Sequence, residues 1–125
     1  MAKKKRTLSE DAAFLIALRD HPEWRRAWQK NELPDEIVAE DGEPMSPRAH
    51  LQIHAVVERQ LAADEPQGVA AIAQELEQLG VSKHDVRHEI GGVLAEHMWY
   101  MEKEGCPFDE GRYLAELRKV VRSHR

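Results

Sequence analysis

Histidine recurs twice at four-residue spacing in this chain. The first run is His50-x3-His54-x3-Glu58, inside SPRAHLQIHAVVERQL; the second is His84-x3-His88, inside SKHDVRHEIGGVLAEHMW, with Glu96 eight residues beyond His88. On a helix, side chains at i and i+4 stand one above the other. Each pair therefore presents two imidazoles on one stripe. Imidazoles and carboxylates from facing helices are the ligand set of a transition-metal centre built inside a bundle. With seven histidines in 125 residues, about a third of one such pair is expected by chance against the two present. The spacing calls for an explanation.

Turning each residue by ~100° places His50, His54 and Glu58 on one stripe with Val57 and Leu61, and Ile53 beside it. Arg48, Gln52, Arg59 and Ala63 take the opposite side. The first pair thus points toward the core. His84 and His88 share a stripe with Gly91 and Ala95, next to the apolar face of Val86, Ile90, Leu94, Met98 and Met101. The small residues admit a second backbone or an ion, and Trp99 stands where it could wall the site. Glu96 lies ~80° round from His88, so it reads either as a site member or as a solvated acid on the helix flank. His97 falls near Val86 and Ile90 and reads as core packing, as do Trp24 and Trp28. His21, in His-Pro-Glu-Trp, precedes a helix, where a backbone hydrogen bond is its simplest role. His124 reads as part of a tail. Cys106, before Pro107, has no companion suggesting catalysis.

A neutral imidazole in a core needs both a donor and an acceptor partner, and protonating several side by side is costly. A metal ion meets that demand, and carboxylates can ligate it or orient the rings from behind. The expected site is therefore His50, His54, His84 and His88, with Glu58 and Glu96 as ligands or supporting groups. It would hold one or two divalent transition-metal ions: Zn, Fe, Ni, Mn or Cu, which the sequence does not distinguish. Three alternatives stay open. One is a non-catalytic helical interaction module with a buried His/Glu network that responds to pH near 6.5. Another places the pairs on the surface. The third is a metal-free His–Glu acid/base enzyme, for which no Ser or Cys nucleophile or Gly-rich phosphate loop is present. Whether any reaction is catalysed is left open.

The punctuation between these residues marks helices. Thr7-x-x-Glu10 is a capping box before AAFLIAL, and Pro22 opens HPEWRRAWQK. NELPDEIVAEDGEPM reads as a loop. Ser46-Pro47 starts a helix to about Asp64, and VAAIAQELEQL follows and stops at Gly80. Ser82 caps a helix to about Glu104, and Asp109 caps the last, with Phe108 and Tyr113 as a hydrophobic staple. No stretch shows strand alternation bounded by turns. The expected fold is all-α: a single domain over residues 1–125 of about six helices, with a basic disordered tail at 1–6. The last four helices form an up-down-up-down bundle and the first two pack on it. In that order the two His-bearing helices run parallel, and Glu58 comes level with Gly92.

Composition narrows the class further. No apolar run approaches the ~18 residues of a membrane span, and the segment after MAKKKR is amphipathic rather than a secretory leader. A single cysteine excludes an intramolecular disulfide and suits the reducing cytoplasm. The net charge of −5, with cations clustered only at the two ends, argues against a nucleic-acid face. The expected partner is a metal ion, with neither membrane nor nucleic acid.

HPEW, SPRAHLQIHAVVERQLAADEPQGV, HDVRHEIGGVLAEHMW and GCPFDEGRYLAEL together resemble an uncharacterised bacterial family, catalogued as domain of unknown function 1841. The resemblance covers roughly residues 18–118. The family's pattern falls here on His21 to Trp24, on His50, His54, Glu58, Gln60, Leu61, Asp64, Pro66 and Gly68, and on His84, His88, Glu96 and Trp99. Ser46 stands where the family usually has Asn, a cap-for-cap exchange. His97 is outside the pattern. The resemblance raises the standing of Glu96 and His21, and it implies no activity.

Overall fold

Ser9 begins the first helix by accepting the Ala12 N–H on its hydroxyl, so the cap lies two residues beyond the expected Thr7. The computed structural model describes residues 7–125; the basic tail expected over residues 1–6 lies outside them. Helix α1 (Glu10–Arg19) is followed at once by α2 (Pro22–Gln29), with proline at the start where its missing N–H costs nothing. The acidic loop that follows contains an element the alternation pattern was too short to reveal. Ile37–Val38 (β1) pairs antiparallel with Pro44–Met45 (β2), two residues a side.

Ser46 then caps α3 (Pro47–Ala63), which ends at Asp64 in the left-handed conformation. Asp64 Oδ1 accepts the N–H groups of Gly68 and Ala70, so one carboxylate stops α3 and caps α4 (Val69–Gln78). Ser82 caps α5 (Lys83–Glu104), and Asp109 caps α6 (Glu110–Ser123). The Phe108 and Tyr113 rings meet at 5.2 Å, the expected staple. These are the six helices of the described residues, and the fold is all-α apart from the small hairpin.

Two apolar clusters meet along α3. Val57 faces the larger one, with Leu76 of α4, Val86 and Ile90 of α5, and Tyr113 and Leu117 of α6. Leu51 faces the smaller one, under Ala17 and Leu18 of α1, with Trp24 and Trp28 of α2 around it. The His50/His54 stripe lies on this same helix. The N-terminal helical pair, expected as an accessory layer, thereby closes one side of the histidines.

The relative direction of α3 and α5 differs from the expected parallel run. Ala49 and Met45, at the start of α3, face Gly92 and Ala95, whereas Glu58 near its end bonds Arg87 near the start of α5. The helices are antiparallel, and Glu58 is level with Arg87 rather than Gly92. Between the two, α4 has 10 residues and spans only ~15 Å, so it cannot pair with α3 along its whole length. Gly91 permits the close crossing: a Cβ there would meet Ile53 Cγ2 at 3.3 Å.

Candidate metal centre

The turn between α1 and α2 brings His21 into the middle of the histidines. Pro22 fixes the helix start, and the His21 ring is nearly fully buried, at 3% exposure. Its Nδ1–H donates to the Ala17 carbonyl at 2.7 Å, the backbone bond expected for this residue. A carbonyl can only accept, so Nε2 of His21 carries a lone pair. That lone pair lies 3.1 Å from Nε2 of His50. Trp24 stacks flat on His21, with centroids 5.0 Å apart and planes 3° from parallel, and fixes the ring's orientation.

Around His21 the rings of His50, His54, His88 and His84 lie at centroid distances of 4.9, 5.0, 5.5 and 5.8 Å. Two adjoining groups emerge. His21, His50 and His88 each offer a ring nitrogen, all within 4.8 Å of one another; Asp20, His54 and Glu58 do the same with two carboxylates and one ring. His54 Nε2 is 3.3 Å from Glu58 Oε1 and 3.5 Å from Asp20 Oδ2. Neither contact has hydrogen-bond geometry, so among the described residues both His54 nitrogens and His88 Nε2 are buried without a partner. Native proteins rarely bury polar atoms this way.

Spacings of this size within each group are compatible with ligands of an ion. With metal–ligand bonds of ~2.1 Å, neighbouring donors stand ~3.0 Å apart at a right angle and ~3.4 Å apart at the tetrahedral angle. The 3.1 and 3.3 Å separations fall inside that range and the 3.5 Å separation lies just above it. A ligating histidine typically donates its other ring N–H to a carbonyl or carboxylate, as His21 does to Ala17.

Burial and mutual repulsion favour the neutral form of His21, His50 and His88. Burial, and then the neighbouring rings of His21, His88, His54 and His84, push His50 down to about 4. Burial, and then the rings of His84, His21 and His54, push His88 to about 4, against an opposing pull from Asp85. Burial also lowers His21, with His54 and His84 adding to it and the Ala17 bond opposing. For Glu58, burial favours the neutral acid, but His54 and Arg87 outweigh it and hold the carboxyl below its ordinary range. Arg87 Nε donates to Glu58 Oε1 at 2.7 Å.

Four of the six residues singled out by spacing therefore lie at the convergence: His50, His54, Glu58 and His88. His84 is at its rim, exposed, with its ring 4.2 Å from His88. Glu96 stands elsewhere. It is exposed in a groove toward α6 with His97, Tyr100, Arg112 and Glu116, because its turn of α5 has rotated past α3. Trp99 is 59% exposed in the same groove beneath Lys103, not a wall of the site. His97 packs against Phe108 and Tyr113, as its apolar neighbours implied. His124 is tied down rather than free, bonding Glu89 at 2.7 Å.

Helical spacing could not have found two members, Asp20 and His21. For His21 the signal was the HPEW stretch of the family resemblance; for Asp20 it was only its place beside His21 in the tight turn before a helix.

The chain belongs to the family described as domain of unknown function DUF1841, which matches residues 2–119. No curated protein and no solved structure matches it.

Proposed function

We propose that this protein binds a divalent transition metal, with His21, His50 and His88 holding one ion and Asp20, His54 and Glu58 forming an adjoining group able to hold a second. One observation carries the reading. Ring nitrogens from the α1–α2 turn, α3 and α5 converge at inter-ligand distances while neighbouring nitrogens lack hydrogen-bond partners. Neutral imidazoles suit Zn, Cu, Ni and Fe, and the carboxylate-bearing group also suits Mn. Three protein ligands leave coordination positions open, as in catalytic rather than structural sites. His84, at the rim, can reach an entering ligand or ion. Glu96 is not among the ligands in this reading.

Metal analysis of protein purified without chelator tests the proposal. The expected result is one to two ions per chain, falling in His21→Ala and unchanged in His124→Ala. Less than ~0.5 ion per chain, with no uptake of added Zn, Ni or Fe, overturns it.

A second reading rests on the lowered His50 and His88: a metal-free, pH-responsive His/Glu network in an interaction module. It requires a melting temperature that depends on pH but is indifferent to EDTA.

A further inference from the structure

Beside the three histidines lies a cavity of about 300 Å³ between α3 and α5. This is near the lower bound of the ~300–1,000 Å³ usual for small-molecule sites. Its far walls are Met45, Ser46, Ala49, Ile53, Gly91, Gly92 and Ala95, and its near wall is made by His50, His54, His88 and the guanidinium-bearing Arg87. The antiparallel crossing creates this shape: small residues on both helices line up opposite one another instead of filling the space. Gly92 is the clearest case, since a Cβ there meets nothing within 4 Å. One end of the cavity is thus apolar and empty of side chains. The other is formed by His50, His54, His88 and Arg87, and His88 Nε2 and both His54 nitrogens have no hydrogen-bond partner among the described residues.

The charge of the wall matters as well. The His21, His50 and His88 group contains no carboxylate. The carboxylates of Asp20 and Glu58 belong to the adjoining group, and Glu58 is already bonded to Arg87. An ion held by three neutral rings keeps its double positive charge in a partly buried place, where an anionic ligand is strongly favoured.

We propose that this cavity binds a small molecule with one carboxylate and a short apolar body. The carboxylate oxygen would complete the coordination of the ion on His21, His50 and His88, while the apolar body lies along Ala49, Ile53, Gly92 and Ala95. The inference rests on the metal reading above and gives that site its ligand class.

The test uses full-length protein loaded with Co²⁺, whose visible spectrum reports coordination, titrated with acetate, butyrate and hexanoate. Burial of each methylene is worth about fourfold in affinity, so hexanoate should half-saturate at a concentration at least tenfold below acetate. Gly92→Leu and Ala95→Leu fill the apolar end without touching a proposed ligand. Each should bind the same amount of cobalt and respond to acetate as before, but lose the hexanoate advantage. Equal affinity for the three acids in the wild type, or an unchanged hexanoate advantage in both variants, overturns the proposal and leaves the metal site standing. Failure to take up cobalt is seen before any acid is added, and it overturns both readings. The wild-type chain-length series decides the matter even if neither variant folds.

Discussion

With chelator present, lowering the pH from 7.5 to 5.0 should destabilise the protein through His50 and His88. Both are held at about 4 in the folded state against an ordinary 6.5. A histidine lowered on folding contributes its full stability above pH 6.5 and loses it as pH falls toward 4, because the unfolded chain binds the proton first. At pH 5.0 the difference amounts to roughly 1.5 of the 2.5 units, or ~2 kcal/mol per ring. The two rings repel one another when charged and both are partly open to water, so about half of the summed effect is expected, ~2 kcal/mol in all. For a chain of this size that corresponds to a melting temperature lower by about 5–10 °C.

The groups facing these rings are His21 and Asp20 from the α1–α2 turn, His54 and Glu58 from α3, and His84, Asp85 and Arg87 from α5. Glu58, held below its ordinary range, keeps its charge through this window and contributes no slope. Thermal melts in EDTA at half-unit pH steps measure the effect. His50→Gln should reduce the slope clearly, and His50→Gln/His88→Gln should leave only the part due to His21, which burial also lowers. A melting temperature flat between pH 7.5 and 5.0, or a full slope in the double variant, refutes the reasoning.

Four further outcomes follow from the same contacts. Zinc at 100 times its Kd should raise stability at pH 7.5 by ~2.7 kcal/mol, and the gain should vanish on acidification as protons compete for the rings, read by melts with and without EDTA. Arg87→Ala removes the 2.7 Å bond to Glu58 and should weaken metal binding about 10- to 100-fold, as loss of a group supporting a ligand does, read by competition with a chromophoric chelator. Gly91→Val places bulk where a Cβ already meets Ile53 at 3.3 Å, and should cost ~1–3 kcal/mol by urea denaturation, whereas Gly92→Ala should be neutral or slightly stabilising. Tyr113→Phe strands Gln60 Oε1, which the buried hydroxyl bonds at 2.7 Å, and should cost ~1 kcal/mol in the same assay, with metal content unchanged.

Features encoded locally were legible in the sequence. Ser46, Ser82 and Asp109 cap helices where their neighbours said they would, because a side-chain oxygen reaching an N–H three residues on depends on little else. The inward face of His50, His54 and Glu58 followed from the 3.6-residue period for the same reason. Thr7 lost to Ser9 because both offer the same hydroxyl and only packing of Ala13 and Ala17 sets the register. Direction and long-range partnership were not legible. Whether α5 runs with or against α3 depends on packing between helices far apart in the chain, and Glu96 and Trp99 lie outside the site in the antiparallel arrangement. His21 looked like a helix-start residue and is one, since its Nδ1 does what the turn predicts. Nothing in its neighbours says that Nε2 will meet a residue 29 positions away.

The antiparallel crossing also bears on how many ions the proposed site would hold. Two parallel His-x3-His stripes would set four rings at two matched heights and invite one ion among them. Crossed in opposite directions, the stripes share only a middle: His50 and His88 meet beneath His21, while His54 turns toward Asp20 and Glu58. The nitrogen group and the oxygen-rich group are thereby separated, yet His21 touches rings of both at about 5 Å. Asp20 and Glu58 carry two negative charges and Arg87 one positive, so the first divalent ion leaves the cluster at +1 and a second would take it to +3. Charge of that size in a partly buried place demands an anion. Filling of the second group should therefore depend on the carboxylate or hydroxide that bridges to it, and metal stoichiometry should rise from one toward two as pH increases or as a carboxylate is added.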